Sequence, residues 1–181
     1  GSGRSISNSS SEACIRSIQA QSLPVAERIV VENASTDGSL NLLNTHFRDV
    51  EILRMVENVG ACTARNVGMR AAKYRWVLLV DNDVVMAEDT LEHLAQAVSS
   101  EDGAVMAQPR SLFKADPTRV HYDGGDFHYA GLISLHNFGA EVSALESPPV
   151  EDIDVAISLC LLVDKKAAIE VGGFDESFFI L

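Results

Sequence analysis

Residues Trp76-Val77-Leu78-Leu79-Val80 form an unbroken apolar run that stops at Asp81-Asn82-Asp83. A strand that is apolar at every position has both faces covered, as in a parallel sheet wrapped by helices. That demands a layered α/β domain, and the 181 residues are enough to build one around a real core. Apolar residues make up 46% and charged residues 22%, which suits a soluble globular chain. No apolar run approaches the roughly 20 residues needed to span a bilayer.

The neighbouring segments repeat the alternation. Ser9 and Glu12 fit a capping box for a helix through about Gln21, with Cys14, Ile15 and Ile18 on one face. Pro24 ends the connection, and Arg28 to Glu32 reads as a buried strand. Asn33 to Ser39 is a turn of residues that bond their own backbone, leading to a short helix through Phe47. Val50 to Val56 is a second strand and Ala61 to Lys73 a helix, with Ala61, Ala64, Gly68 and Ala71 permitting close packing. After the strand at Trp76–Val80 come a helix near Asp89–Ser99 and a strand at Gly103–Gln108. The pattern breaks into hairpins and loops over 110–150, then a strand at Val155–Val163 and a helix at Lys165–Val171 follow. The expected fold is therefore α/β, a Rossmann-like, mainly parallel sheet with helices on both faces. Ligands bind such sheets off the carboxyl ends of strands.

Two places satisfy that rule. Asp81 and Asp83 flank one residue at a strand end and can chelate a hard divalent cation, Mg²⁺ or Mn²⁺, which would bridge to a diphosphate. A lone Asp-x-Asp is more often a solvated acidic turn; the apolar strand before it argues for a site. Glu32-Asn33 at the other strand end can read a nucleobase edge, or can form an ordinary turn capping the next helix. Arg65, close in sequence to the acidic triplet, is a candidate diphosphate or base contact, or else a helix-face arginine held in a salt bridge. Arg70, Lys73 and Arg75 read as a solvated helix face.

Together these segments resemble the family 2 glycosyltransferases, inverting enzymes of the A-type glycosyltransferase fold. The resemblance runs through Gln21–Pro24, Ile29–Ser39, Glu57–Gly60, Ala64–Gly68, Val77–Asp83 and Cys160–Phe179. It implies a transferase that moves a sugar from a nucleoside diphosphate sugar to a hydroxyl of a carbohydrate or lipid-linked acceptor. It implies donor contacts from Glu32, Asn33, Ser35, Asp37, Arg65, Asp81 and Asn82, and a Mn²⁺ or Mg²⁺ ion held by Asp81 and Asp83. Glu32 stands where the family usually has aspartate. Gly172–Phe179 matches a segment lining the acceptor side, and His121, His128 and His136 receive no family role.

Two departures accompany the resemblance. Only Arg4–Asn8 is available for the family's first strand, so residues 1–181 read as a single catalytic domain, incomplete at both ends. The family's general base is expected beyond Leu181; within the chain the candidates are Asp175 and Glu176, while Glu151-Asp152-Ile153-Asp154 reads as a strand lead-in. An inverting transfer needs such a group to take the acceptor's proton. A non-catalytic nucleotide-sugar-binding fragment is thus a rival reading. A nucleotidyltransferase is another, but residues 1–40 lack a glycine-rich basic phosphate loop.

The net charge of −12 argues against nucleic acid as a partner. Cys14, Cys62 and Cys160 lack metal-ligand spacing and read as reduced thiols. A cytoplasmic location follows, with peripheral attachment at the inner face of the membrane as a variant.

Overall fold

The computed structural model describes residues 8–146 and 150–179. The proposed first strand before Asn8, the Ser9 cap, Ser147-Pro148-Pro149 and Leu181 lie outside what can be described.

The described residues open with α1 (Asn8–Gln19), followed by β1 (Ile29–Glu32), α2 (Ser39–His46), β2 (Glu51–Arg54) and α3 (Gly60–Ala71). β1 and β2 pair in parallel, Ile29 opposite Glu51 through Glu32 opposite Arg54. Successive strand residues point to opposite faces, and both faces are covered. Val30 packs with Ile15, Leu43, Phe47 and Val50 from α1, α2 and the lead into β2. Val31 faces the other way, where a Cβ on Gly68 would lie 3.1 Å from its Cγ2. Only a small residue there lets α3 approach the sheet so closely, as the run of small residues predicts.

β3 (Trp76–Val80) runs the full length of the apolar stretch. Beyond α4 (Thr90–Ser100) and β4 (Met106–Ala107), the chain makes hairpins and returns as β9 (Cys160–Asp164). β9 is buried throughout and lies between β3 and β4, antiparallel to both. β3 and β4 therefore share a direction, as β1 and β2 do, and the sheet around β9 is mixed. Met69 of α3 packs on Leu79, Leu161 and Val163, forming the second core cluster. Asp164 ends β9 and caps α5 (Lys165–Glu170) by accepting from the N–H groups of Lys166 and Ala167.

β2 covers only Glu51–Arg54 of the expected Val50–Val56, and two further strands are shorter than the apolar pattern suggests. Residues 101–104 turn instead of extending, with Ala104 N–H donating to Glu101 O. Residues 154–157 lie against the hairpins: Asp154 and Val155 N–H donate to Gly125 O, and Tyr122 Oη–H donates to Val155 O. Those backbone groups are occupied before the chain reaches β3. The hairpins themselves are β5 (Ser111–Phe113) with β6 (Asp116–Tyr122), and β7 (Gly125–His128) with β8 (Leu132–Leu135). Among the described residues no helix is long and apolar enough to cross a membrane.

Candidate functional site at the ends of β1 and β3

The apolar strand β3 ends where its backbone must turn, and Asp81–Val84 close that turn with Val84 N–H donating to Asp81 O. Asp81 N–H still bonds Leu159 O beside β9, so the first carboxylate springs from a fixed point. Its Oδ1 accepts from Arg65 Nη2 at 2.6 Å, with Arg65 only 15% exposed. Burial holds the Asp81 carboxyl above its ordinary range; Arg65 pulls it back down, and Asp83 pushes it up. Asn82 and Asp83 are exposed, and Asn82 Nδ2 donates to Ser11 Oγ at 3.5 Å. The acidic triplet is therefore one anchored carboxylate and one open to solvent.

Among the described residues no cluster of three His, Cys, Asp or Glu is placed to hold a metal. A Mg²⁺- or Mn²⁺-type ion commonly takes one or two carboxylates together with substrate phosphates. The open Asp83 carboxylate beside the anchored Asp81 fits that kind of donor set.

The turn after β1 is built differently. Glu32 is only 4% exposed, and its Oε1 accepts from Ser35 N–H at 2.6 Å. Ala34 adopts a left-handed backbone (φ 57°), which carries Ser35 back over the carboxylate. Asn33 Nδ2 donates to Asn58 Oδ1 and Gly60 O, and its Oδ1 accepts from Val59 N–H. Asp37 accepts from Ser39 Oγ–H and N–H at the start of α2, which lowers its carboxyl below the usual range. The structure thus brings Glu32 to a cleft of about 540 Å³, lined also by Ala34, Ser35, Arg54, Met55 and Val56. It turns Asn33 and Asp37 inward to hold the loop.

α3 ties this site to the segment after α5. Arg65, besides its bond to Asp81, lies over the Phe174 ring at 5.8 Å. The next residue, Asn66, is 1% exposed and clasps Phe174 from both sides: Phe174 N–H donates to Oδ1, and Nδ2 donates to Phe174 O. A Cβ on Gly173 would sit 2.5 Å from Asn66 Oδ1, and its φ is 74°. Gly173 is what lets the segment close on α3. Asn66 Nδ2 also donates to Glu176 Oε1, joined by Arg70. Those bonds, from Asn66 first and then Arg70, hold the Glu176 carboxyl below its ordinary range. Asp175 is lowered too, by Ser177 N–H and Oγ–H. Ala61 N–H bonds Phe179 O, so both ends of the segment rest on α3.

Other side chains take supporting positions. Gln21 accepts from Leu91 N–H and donates to Ala87 O, clamping the loop that follows the triplet. Its 8% exposure was not readable from a Gln-Ser-Leu-Pro string alone. Cys14 lies against Asp81 O, and burial pushes its thiol up to about 11 and that of Cys160 to about 12. Such thiols stay protonated and act as packing. Lys73 pairs with Glu27 and Arg75 with Asp164, away from the triplet. His121 packs edge-on to Phe113, His128 stacks on Tyr129, and His136 pairs with Asp126.

The glycosyl transferase family 2 model matches residues 10–141. Glycosyltransferase GlyG of Streptococcus pneumoniae is 30% identical over 136 residues, covering 74% of this chain and 42% of that relative. TuaG of Bacillus subtilis, a glycosyltransferase named for teichuronic acid biosynthesis, is 32% identical over 110 residues. That match covers 59% of this chain and 44% of TuaG, so the chain spans less than half the length of either relative. Among solved structures, GalNAc-T7 with UDP, GalNAc and Mn²⁺ superposes at TM-score 0.75 and 14% identity, covering 96% of this chain and 35% of that one. Mannosyltransferase PcManGT from Pyrobaculum calidifontis, in complex with GDP-Man and Mn²⁺, superposes at 0.65 and 17% identity, covering 94% and 45%. At these identities the likeness establishes the fold, which is the Rossmann-like A-type glycosyltransferase fold.

Proposed function

The chain belongs to glycosyl transferase family 2, and on that premise we propose that it binds a nucleoside diphosphate sugar across the ends of β1 and β3 for transfer to an acceptor hydroxyl. The observation that carries this reading is the Arg65–Asp81 pair at 2.6 Å, with the open Asp83 carboxylate beside it. Arg65 is oriented by Asp81 on one side and Phe174 on the other, so its unused N–H groups form a preorganised contact for diphosphate oxygens. Asp81 and Asp83 would hold Mn²⁺ or Mg²⁺, which when bound neutralises charge on the departing diphosphate. Glu32 faces the base, and Asn33, Ser35 and Asp37 keep its loop in shape. Asn82 sits exposed next to the diphosphate. The acceptor, a carbohydrate or a lipid-linked hydroxyl, lies along Gly172–Phe179, where Phe178 and Phe179 are half-exposed.

Asp175 and Glu176 are held below the ordinary carboxylate range by their hydrogen bonds, the wrong direction for a general base. We assign them to shaping the acceptor segment. Their engagement also supports a second reading, a donor-binding unit without transfer by these residues. The buried, unpaired thiols of Cys14, Cys62 and Cys160 support a reducing location, cytoplasmic or at the inner face of the membrane.

Titration with nucleoside diphosphates and Mn²⁺ tests the donor site. Affinity should depend on the metal, and Asp83→Ala should lower it about 100-fold, at the upper end of what even supporting groups of a metal site contribute. The circular dichroism spectrum should not change, because Asp83 is exposed. Metal-independent binding, or unchanged affinity in a folded Asp83→Ala variant, would remove the assignment. Sugar transfer to an added acceptor would favour the transferase over the binding unit.

A further inference from the structure

The cleft at the end of β1 holds a cation that the donor reading does not use. Glu32 and Arg54 are register partners on adjacent parallel strands. Such partners stand side by side about 4.8 Å apart, with their side chains leaving the same face of the sheet. Both line the same cleft, with Ser35 and the apolar wall of Met55 and Val56. Two strand-end side chains of opposite charge, so placed, would ordinarily pair. They do not. Ser35 N–H holds Glu32 Oε1, and the other arginines near carboxylates are matched elsewhere, to Glu12, Asp49, Asp81, Glu176, Asp164, Asp123, Asp116 and Glu141. Among the described residues no carboxylate pairs with Arg54. The cleft therefore presents a buried carboxylate acceptor next to a guanidinium donor, with a nonpolar wall on which a flat ring can lie.

We propose that Arg54 is a specificity-determining residue that, with Glu32, selects a donor whose base carries a ring N–H beside a ring carbonyl. This rests on the reading that Glu32 faces the base. The carboxylate accepts only, and the guanidinium donates only. Uracil offers N3–H next to O4, and guanine offers N1–H next to O6, so each satisfies both groups at once. Adenine and cytosine offer a ring nitrogen lone pair next to an exocyclic amine. With the ribose held in place by the diphosphate contacts, that order is reversed at both groups: the lone pair faces the carboxylate and the amine faces the guanidinium. A site built to hydrogen-bond one pattern rejects the other because its own polar groups are left unmet. Exposed Val56 and the open rim leave room for the larger purine, so the selection falls on edge chemistry and not on ring size.

The test is calorimetric titration of the chain with UDP, GDP, ADP and CDP in the presence of Mn²⁺. Either UDP or GDP, or both, should bind at least about tenfold more tightly than ADP and CDP. Arg54→Met keeps the apolar stem and removes the donors; Arg54 is exposed, so the variant should fold as the parent does. It should abolish that preference by weakening UDP or GDP while leaving ADP and CDP unchanged. Equal affinity for all four in the parent chain would overturn the proposal. So would an Arg54→Met variant that weakens all four alike, because that result places Arg54 on the diphosphate. In both cases metal-dependent binding survives, and the donor-site reading survives with it. Absence of metal-dependent binding to any of the four would overturn the donor-site reading and this proposal together.

Discussion

The half of the molecule from α1 to β3 and the hairpins from β5 to β8 spend their apolar side chains in opposite ways. In the first, Ile15, Leu43, Phe47 and Val50 come from separate elements into one buried cluster. Its polar side chains at strand ends then serve the candidate site. In the second, Val120 and Tyr122 are buried, but Phe127, Tyr129, Leu132, Ile133, Leu135 and Phe138 are exposed. The hairpins are held instead by polar ties: Arg110 to Asp123, Asn137 to Asp123, Arg119 to Glu141, and Phe127 N–H to Asp154. Burial fixes the half that carries the candidate site, while hydrogen bonds and ion pairs fix the hairpins. A rigid frame at the ends of β1 and β3 is what preorganised binding of a diphosphate requires.

The same residue type separates the two regimes most widely. Phe47 is 2% exposed and Phe127 is 59% exposed. Phe47→Ala should lower the unfolding free energy by about 3–5 kcal/mol, the usual effect of emptying a buried aromatic site. Phe127→Ala should change it by no more than about 0.5 kcal/mol, as exposed positions do. Urea unfolding of the two variants measures both. Comparable effects would mean that the exposed face of the hairpin is covered, and the contrast between the regions would collapse.

How far the sequence could be read follows the same division. The order of helices and strands through β3 was visible because each element repeats its apolar residues at its own period. The candidate carboxylates were visible because Asp81 and Asp83 follow an unbroken apolar strand. The direction of β9 was not visible. A strand buried on both faces is apolar throughout whether it runs parallel or antiparallel, so Cys160–Val163 carries no mark of its orientation. Nor was the clasp of Asn66 on Phe174, which joins residues more than a hundred positions apart. Arg54 looked like any strand-end arginine until the register placed it beside Glu32.

Asn66 sharpens the comparison within the well-packed half, because there a polar group is buried and fully used. Asn66→Ala removes both bonds to Phe174 and the bond to Glu176. It should lower stability by about 2–4 kcal/mol, since the part-buried N–H and C=O of Phe174 lose their partner and a charged acceptor loses a donor. Hydrogen exchange should localise the damage: the Phe174 amide should lose protection while the β1–β2 amides keep theirs. Metal-dependent nucleotide affinity should fall by less than about tenfold, or 1.4 kcal/mol, because Arg65 keeps its bond to Asp81. Equal loss of protection in both places would show that Asn66 supports the whole core and not the Gly172–Phe179 segment alone.

The smallest expected effect belongs to the hairpins and depends on pH. His136 Nε2 lies 3.0 Å from Asp126 Oδ1, and His136 N–H donates to Gly124 O. The Asp126 bond raises the His136 imidazole above its ordinary range; burial opposes this, and Asp126, Glu151 and Asp123 add to it through their charge. A group whose folded pKa lies above its unfolded value stabilises the fold fully below the unfolded value, about 6.5 for histidine. That contribution fades as pH rises through the folded value. The melting temperature of the parent chain should therefore exceed that of His136→Asn most clearly below pH 6.5, and the gap should narrow toward pH 8. A gap that widens with pH would mean that the neutral imidazole is the stabilising form. The Asp126 pair would then not be the tie that holds Gly124 and β7 in place.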